Sequence, residues 1–248
     1  MKRLVIFGSI PLTKKCIEHI LENYNNEVEL LGVACIKLNN TWRNAEDSVY
    51  EYAKRNKIKI LTHEEIEKLA PDIGLSIRYN KLLKKGLLDS FKIGVFNTHG
   101  GILPNYRGTY CNIHPIINNE KYFGVTLHKV DEGIDTGDII DIKKIEIQNN
   151  DTGYDLYLKG EKLCFELIKD NFKKIIQNDF KKIKQETLVK NRNLKINTYK
   201  TKDIEKLKEI EKEEIEKKYN TIRAFDSPYH EPAYTYIDGK KIYLRIKY

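Results

Sequence analysis

The chain has 248 residues, of which 40% are hydrophobic and 10% aromatic, and this ordinary composition excludes wholesale disorder and fibrous repeats. The 44 Lys and Arg residues outnumber the 36 Asp and Glu residues, which gives a formal net charge of +8. A basic balance of this size is compatible with nucleic acid, with a phosphate-bearing ligand, or with a Lys-rich surface alone.

Membrane segments and metal sites are not indicated by the sequence. The apolar run Leu4–Phe7 is far shorter than a signal-peptide core or the roughly 20 residues of a membrane span. We therefore expect a soluble, cytoplasmic protein without a membrane partner. The cysteines lack paired metal-ligand spacing, so we expect no metal and interpret them as free thiols. They are Cys16, Cys35, Cys111 and Cys164.

Strands alternate with helices through the first half of the chain. Strands are predicted at residues 4–7, 28–35, 58–60, 73–77 and 93–97, and helices at 12–24, 45–55, 64–69 and 82–88. Because helical crossovers join parallel strands, this order predicts an α/β fold with a Rossmann-like, mostly parallel sheet. The first strand ends at Gly8-Ser9, where such sheets place a ligand-facing turn. The lack of a G-x-G-x-x-G motif disfavours a dinucleotide site.

The second half of the chain changes character after one long helix. Strands are predicted at 124–130 and 139–147, followed by helices at 154–177 and, in a Lys- and Glu-rich region, at 204–219. Asp238-Gly239 between two β-prone runs predicts a closing β-hairpin. We therefore predict a main domain over 1–180 and a small C-terminal extension over 181–248. Trp42 follows the second strand and is interpreted as a hydrophobic anchor.

Two stretches of the sequence concentrate polar side chains. Asn97 and His99 are two residues apart at the end of a predicted strand, so they project to the same side. A later strand, which contains His128, leads into an acidic loop with Asp131 and Asp135. The acidic spacing does not fit an EF-hand, which disfavours a calcium loop. His128 either lines a site or faces outward, and we interpret it mainly as structural.

In this order the motifs resemble the folate-dependent formyltransferase superfamily. They are Asn97-Thr98-His99, the loop through Leu103-Pro104, Gly124-Val125-Thr126, and Asp131-Glu132-Gly133-Ile134-Asp135-Thr136-Gly137. The resemblance covers about residues 1–180. Gly101 departs from it, since many relatives have Ser there, and Ile102 stands where Leu is usual.

The resemblance implies transfer of a formyl group from 10-formyltetrahydrofolate to an amine. It makes Asn97 the amide donor to the developing oxyanion, His99 the general base or proton carrier, and Asp135 the group that orients His99. A thiol role for Cys111, beside this loop, is disfavoured. The folate-binding residues that the resemblance implies are Arg78, Tyr79, Lys81, Leu82, Leu83 and Asp131.

The C-terminal extension favours one class of amine as the acceptor of the formyl group. Residues 222–234 contain Ile-Arg-Ala-Phe and a Pro-Tyr-rich segment, which resemble the tail of nucleotide-sugar N-formyltransferases. We favour a dTDP-linked acceptor, dTDP-4-amino-4,6-dideoxyglucose or a 3-amino isomer, used for surface polysaccharide such as O-antigen; a GDP-linked amino sugar is the nearest variant. We assign substrate contacts to Ser9, Gly101, Arg107, Phe225 and Tyr229.

Two other functions stay open. One is a methionyl-tRNA formyltransferase-like enzyme, although the extension is too short for that branch's C-terminal barrel, which makes nucleic acid a disfavoured partner. The other is a folate- or nucleotide-binding module without turnover, which would not need a proton-transfer residue beside an amide donor. We also expect a homodimer formed through the hairpin.

Overall fold

A computed structural model describes residues 1–38, 48–192 and 194–248. Trp42 and the start of the helix predicted over 45–55 lie outside these residues. The described strands are β1 Lys2–Phe7, β2 Val28–Ala34, β3 Ile73–Ile77, β4 Gly94–His99, β5 Arg107–Gly108, β6 Tyr122–Lys129, β7 Ile139–Glu146, β8 Thr198–Tyr199, β9 Ala233–Ile237 and β10 Lys240–Leu244. The α-helices are α1 Pro11–Tyr24, α2 Val49–Arg55, α3 His63–Leu69, α4 Lys85–Asp89, α5 His114–Ile117, α6 Gly153–Gln177, α7 Gln185–Arg192, α8 Thr201–Lys208 and α9 Tyr219–Phe225, and a 3-10 helix spans Lys212–Lys218.

A six-stranded sheet in the order β2-β1-β3-β4-β6-β7 forms the centre of the molecule. The first four strands in this order are parallel, whereas β6 and β7 are antiparallel to their neighbours. The predicted α/β fold with a mostly parallel sheet is confirmed. Strand β4 pairs parallel with β3 on one side and antiparallel with β6 on the other. Its register places Asn97 beside Ser76 of β3 and His128 of β6.

Apolar side chains cover both faces of the sheet. Along β1, Leu4 and Ile6 belong to one buried cluster, whereas Val5 and Phe7 belong to another. This alternation is the two-residue period of a strand buried on both faces. Each large side chain so buried contributes about 1.5–3 kcal/mol to the free energy of unfolding.

Helix α6 closes the larger cluster and begins at a well-defined cap. The Thr152 hydroxyl accepts from the backbone N–H of Asp155, and the Asp155 carboxylate accepts from that of Thr152. Gly160 lies against the ring of Phe123, where an added Cβ would come within 3.1 Å. The missing side chain therefore lets α6 approach β6 closely.

The C-terminal extension packs into the same cluster as the sheet and α6, through Ile204, Ile210 and Phe225. Its closing hairpin is confirmed, since β9 and β10 pair antiparallel around a turn in which Asp238 and Gly239 both have positive φ. Among the described residues, none of the helices combines the length and the apolar character that crossing a membrane requires.

The single helix predicted over 204–219 is wrong. Helix α8 ends at Lys208, and the chain then runs extended because the backbone N–H of Ile210 donates to Tyr234 O (2.8 Å). Tertiary pairing with the hairpin thus overrides local helix propensity. The strand predicted at 58–60 reduces to one bridge between Ile60 and Val33.

Candidate active site

Asn97 lies at the centre of a hydrogen-bonded row across three strands. Its Oδ1 accepts from the Ser76 hydroxyl (2.8 Å), and its Nδ2 lies 3.1 Å from His128 Nε2. His128 Nδ1 lies 3.0 Å from the backbone oxygen of Lys129, which leaves Nε2 as the acceptor for Asn97. The amide is therefore held at both ends, with one N–H of Nδ2 left to serve a ligand.

His99 has an acceptor opposite each ring nitrogen. Nε2 lies 2.6 Å from the backbone oxygen of Tyr106, and Nδ1 lies 3.4 Å from Asp135 Oδ2. Burial lowers the pKa of His99 below its ordinary value, although the Asp135 charge opposes that shift. A neutral ring that donates from Nε2 keeps a lone pair on Nδ1, so the His99–Asp135 pair can accept one further proton.

Asp135 is held in place by backbone and side-chain contacts. It adopts a left-handed conformation (φ +52°), and its Oδ2 accepts from the backbone N–H of Gly108 (2.9 Å). Oδ1 lies 3.5 Å from His128 Nε2. Burial alone would raise the pKa of Asp135, but the positive charge that His99 and His128 carry when protonated, together with the Gly108 N–H, outweighs it and lowers the pKa to about 2. Asp135 is therefore a carboxylate at neutral pH.

A cavity of about 870 Å³ opens beside these three residues. All six residues assigned to the folate line it: Arg78, Tyr79, Lys81, Leu82, Leu83 and Asp131. Leu82 is 63% exposed, whereas Leu83 is buried in the apolar cluster under the sheet. The Arg78 guanidinium lies 4.6 Å from the centre of the Tyr157 ring. This wall combines apolar surface with cations.

Three residues assigned to the substrate do not belong to the described lining of this cavity. Buried Ser9 accepts the backbone N–H of Ile36 (2.9 Å), so its hydroxyl holds two chain segments together. Gly101 lies behind His99, where an added Cβ would come within 2.9 Å of Nε2. The Arg107 guanidinium donates to Gln185 Oε1 at 2.7 and 3.1 Å. All three residues thus make contacts within the protein, and their assigned contacts with the substrate stay a prediction.

The two aromatic residues of the extension differ in position. Phe225 lines the cavity and is buried, as a residue in contact with a ligand would be. Tyr229 is not among the described lining residues. Its ring contacts that of Tyr154, which does line the cavity, with 5.5 Å between the ring centres. Direct contact of Tyr229 with the substrate stays a prediction, beside the observed contact with Tyr154.

His128, which the sequence pattern marks mainly as structural, and Ser76 and Gln185, which it does not mark, all contact residues of the site. Cross-strand register could have found the first two, because both lie directly beside Asn97. Gln185 donates to the backbone oxygens of Asp135 and Gly137, both at 2.8 Å, and no local pattern marks it.

The other candidates for chemistry among the described residues are the cysteines and the side chains that can bind a metal. The described cysteines are free, and burial raises the pKa of the Cys111 thiol, which lies beside the site. Within residues 1–38, 48–192 and 194–248, no three His, Cys, Asp or Glu side chains are grouped to hold a metal ion. The site therefore presents an amide donor, a proton acceptor and a carboxylate around one cavity.

Known proteins share this fold. The model of the formyl transferase family matches residues 26–169. The crystal structure of an N-formyltransferase from Helicobacter canadensis, in complex with folinic acid and dTDP-3-aminofucose, is 32% identical with a TM-score of 0.80, covering 98% of this chain and 86% of that chain. A sugar 3N-formyl transferase crystallised in the presence of dTDP and 5-N-formyl-THF is 31% identical with a TM-score of 0.78, covering 98% and 85%.

Several curated sequences match over a shorter stretch, from 40% to 74% of this chain. The methionyl-tRNA formyltransferase of Finegoldia magna is 31% identical over 159 residues, which are 60% of this chain and 51% of that protein. The chain thus spans about half the length of such relatives.

Proposed function

This chain belongs to the formyl transferase family, and from that premise we propose that it is an N-formyltransferase acting on a nucleotide-linked amino sugar. The observation that carries the proposal is the similarity of two sugar enzymes over almost the whole chain. They are 31% and 32% identical and match 98% of the chain with TM-scores of 0.78 and 0.80, so their similarity includes the C-terminal extension. A methionyl-tRNA formyltransferase from Clostridium thermocellum covers 96% of the chain as well, but with 18% identity and a TM-score of 0.63.

The acceptor in this proposal carries dTDP and a primary amine on a dideoxyhexose. One solved relative is described with dTDP-3-aminofucose and the other as a sugar 3N-formyl transferase, which favours the 3-amino isomer over the 4-amino isomer. The product would be a precursor of surface polysaccharide such as O-antigen. A cytoplasmic location agrees with the free state of the described cysteines.

The formyl donor in this proposal is 10-formyltetrahydrofolate, which supplies the formyl carbon while the bond to its N10 breaks and the amine nitrogen gains that carbon. The cavity volume, about 870 Å³, lies within the range of roughly 300–1,000 Å³ typical of small-molecule sites. Tyr79, Leu82 and Leu83 offer the apolar wall that a flat ring system needs. Lys81 and Arg78 offer positive charge to an anionic ligand.

Asn97 stabilises the negative charge that develops on the formyl oxygen. Ser76 and His128 fix its amide from two sides, so the remaining N–H is already oriented before a ligand binds. A preoriented donor of this kind lowers the barrier by about 2.7–4 kcal/mol in other acyl-transfer sites.

The His99–Asp135 pair takes the proton that the amine loses. His99 Nδ1 has a lone pair facing Asp135, and the carboxylate stabilises the imidazolium that forms when that lone pair is protonated. The pair can then return the proton to the leaving nitrogen, so the overall reaction consumes no proton.

The test is a screen of acceptors with 10-formyltetrahydrofolate and the whole chain. It compares dTDP-, UDP- and GDP-linked amino sugars with glycinamide ribonucleotide and charged initiator tRNA. Formylation of a dTDP-linked amino sugar supports the proposal, and formylation of tRNA alone contradicts it. Binding without turnover on every acceptor would instead identify a folate- or nucleotide-binding module.

A further inference from the structure

Gln185 lies at the start of α7, only 3% exposed, and uses its full hydrogen-bonding capacity. Its Nε2 donates to the backbone oxygens of Asp135 and Gly137, both at 2.8 Å. Its Oε1 accepts from Arg107 Nε at 3.1 Å and Nη2 at 2.7 Å. A carboxamide has two N–H groups and two lone pairs, and all four are engaged.

Both ends of the Gln185 carboxamide are connected to Asp135 through hydrogen bonds, one directly and one through the Arg107-Gly108 segment. The Nε2 end fixes the backbone oxygen of Asp135 itself, a residue held at φ +52°, which non-glycine residues rarely adopt. The Oε1 end fixes Arg107, whose neighbour Gly108 donates its backbone N–H to Asp135 Oδ2 (2.9 Å). One side chain therefore joins the loop that carries the carboxylate to the loop that carries its donor.

The backbone delivers Gln185 to this place. Ile183 and Ile139 exchange two backbone hydrogen bonds, of 2.8 and 2.9 Å, just after the loop that contains Asp135 and Gly137. This bridge anchors the entry to α7 against the start of β7. The position of Gln185 is therefore fixed by main-chain contacts, independently of its side chain.

From these contacts we infer that Gln185 is a positioning residue for formyl transfer, which sets the place of the Asp135 carboxylate relative to His99. The inference rests on the proposed function, since that function gives Asp135 its role. Gln185 does not line the cavity among the described residues, so it acts through Asp135 and Arg107.

The test measures the titration of His99 by NMR in the whole chain without ligands, with the resonance assigned by comparison with His99→Gln. The charged and titratable groups facing His99 are Asp135, His128 and Arg78. Gln185→Met removes all four hydrogen bonds without changing charge, and Gln185→Asn shortens the carboxamide as a milder variant. Gln177→Met, at the exposed end of α6, is the matched control.

Because Asp135 raises the pKa of His99, displacing its carboxylate lowers that pKa measurably in Gln185→Met and less in Gln185→Asn. Gln177→Met leaves it unchanged. An unchanged pKa in both Gln185 variants, with at most a lower melting temperature, overturns the inference. This readout needs no substrate, so a wild-type chain that formylates nothing would contradict the proposed function while leaving the titration result intact.

Discussion

At the scale of single residues, the site depends on orientation fixed before a ligand arrives. Asn97 and His128 are joined through Nδ2 and Nε2, and Asp135 lies within 3.5 Å of both histidines of the site. Each polar group thus has a protein partner that determines which of its atoms faces the cavity. Catalysis in such sites comes from dipoles that need no reorganisation during the reaction.

Loss of either the donor or the proton carrier has a large expected cost. Asn97→Ala removes the amide donor and His99→Ala removes the proton acceptor, so each is expected to lower turnover at least ~100-fold. Steady-state kinetics with the acceptor found in the screen measure this. Asn23→Ala, on the exposed part of α1, is the control and should retain full turnover. Rates near wild type in both site variants would contradict the assignment.

Asp135 also links stability to pH. Its folded pKa of about 2 lies below the ordinary value, so the ionised group stabilises the fold above pH 4 and loses that contribution as pH falls towards 2. Between pH 7 and pH 3, wild type should therefore lose roughly 1 kcal/mol more unfolding free energy than Asp135→Asn. Urea unfolding across this pH range measures the difference. Parallel losses in the two proteins would show that the carboxylate is not stabilised.

At the scale of elements, the site depends on a small two-stranded sheet, formed by β5 and β8, that lies beside the end of strand β4. Strand β5 pairs with β8 of the extension, and Gly108 there has φ +88° with Tyr199 O close above it. This close approach is what lets the Gly108 N–H point at Asp135. The pairing of β5 with β8 therefore supports the site from outside the matched family region.

An alanine at Gly108 should lower the free energy of unfolding more than an alanine at Gly239, a glycine that also has a positive φ. An Ala Cβ at Gly108 would lie 2.2 Å from Tyr199 O, whereas at Gly239 (φ +73°) it meets nothing within 4 Å. We expect Gly239→Ala to cost about 1–2 kcal/mol from backbone strain. Gly108→Ala should cost more, because the clash adds to the strain. Thermal unfolding ranks the two, and equal losses would refute the close approach.

Local pattern predicts some of these elements and not others. The alternation of strands and helices, and the two-residue spacing of Asn97 and His99 at a strand end, lead to the sheet and to half of the site. Gln185 could not be predicted, because it reaches Asp135 across 50 positions of sequence through a bridge that has no local signal. For the same reason, the helix predicted over 204–219 fails where Ile210 pairs with the hairpin.

At the scale of the whole molecule, the extension serves both the site and the outer surface. Phe225 is buried at the cavity, while Tyr236, Ile242 and Tyr243 on the hairpin are each at least 41% exposed. The outer edge of β9 is partly covered by Glu209–Ile210, but β10 pairs only with β9 among the described strands. A strand edge of this kind leaves backbone N–H and C=O groups with which another chain can pair.

We therefore expect a homodimer formed through β10. Ile242→Lys places a charge on this edge and should convert the dimer to a monomer in sedimentation-velocity experiments. Tyr122→Lys, at a similarly exposed position on β6, is the control and should remain dimeric. A wild-type chain that sediments as a monomer at assay concentration would count against the expectation.

The central claim is that the site containing Asn97, His99 and Asp135 formylates a dTDP-linked amino sugar. The most direct measurement follows an isotopically labelled formyl group by NMR, from 10-formyltetrahydrofolate to the sugar amine of dTDP-3-aminofucose. The account predicts a formamide signal on the sugar with wild type and none with Asn97→Ala. The absence of a formamide signal on every dTDP-linked amino sugar, whether or not the label reaches methionyl-tRNA, would contradict it.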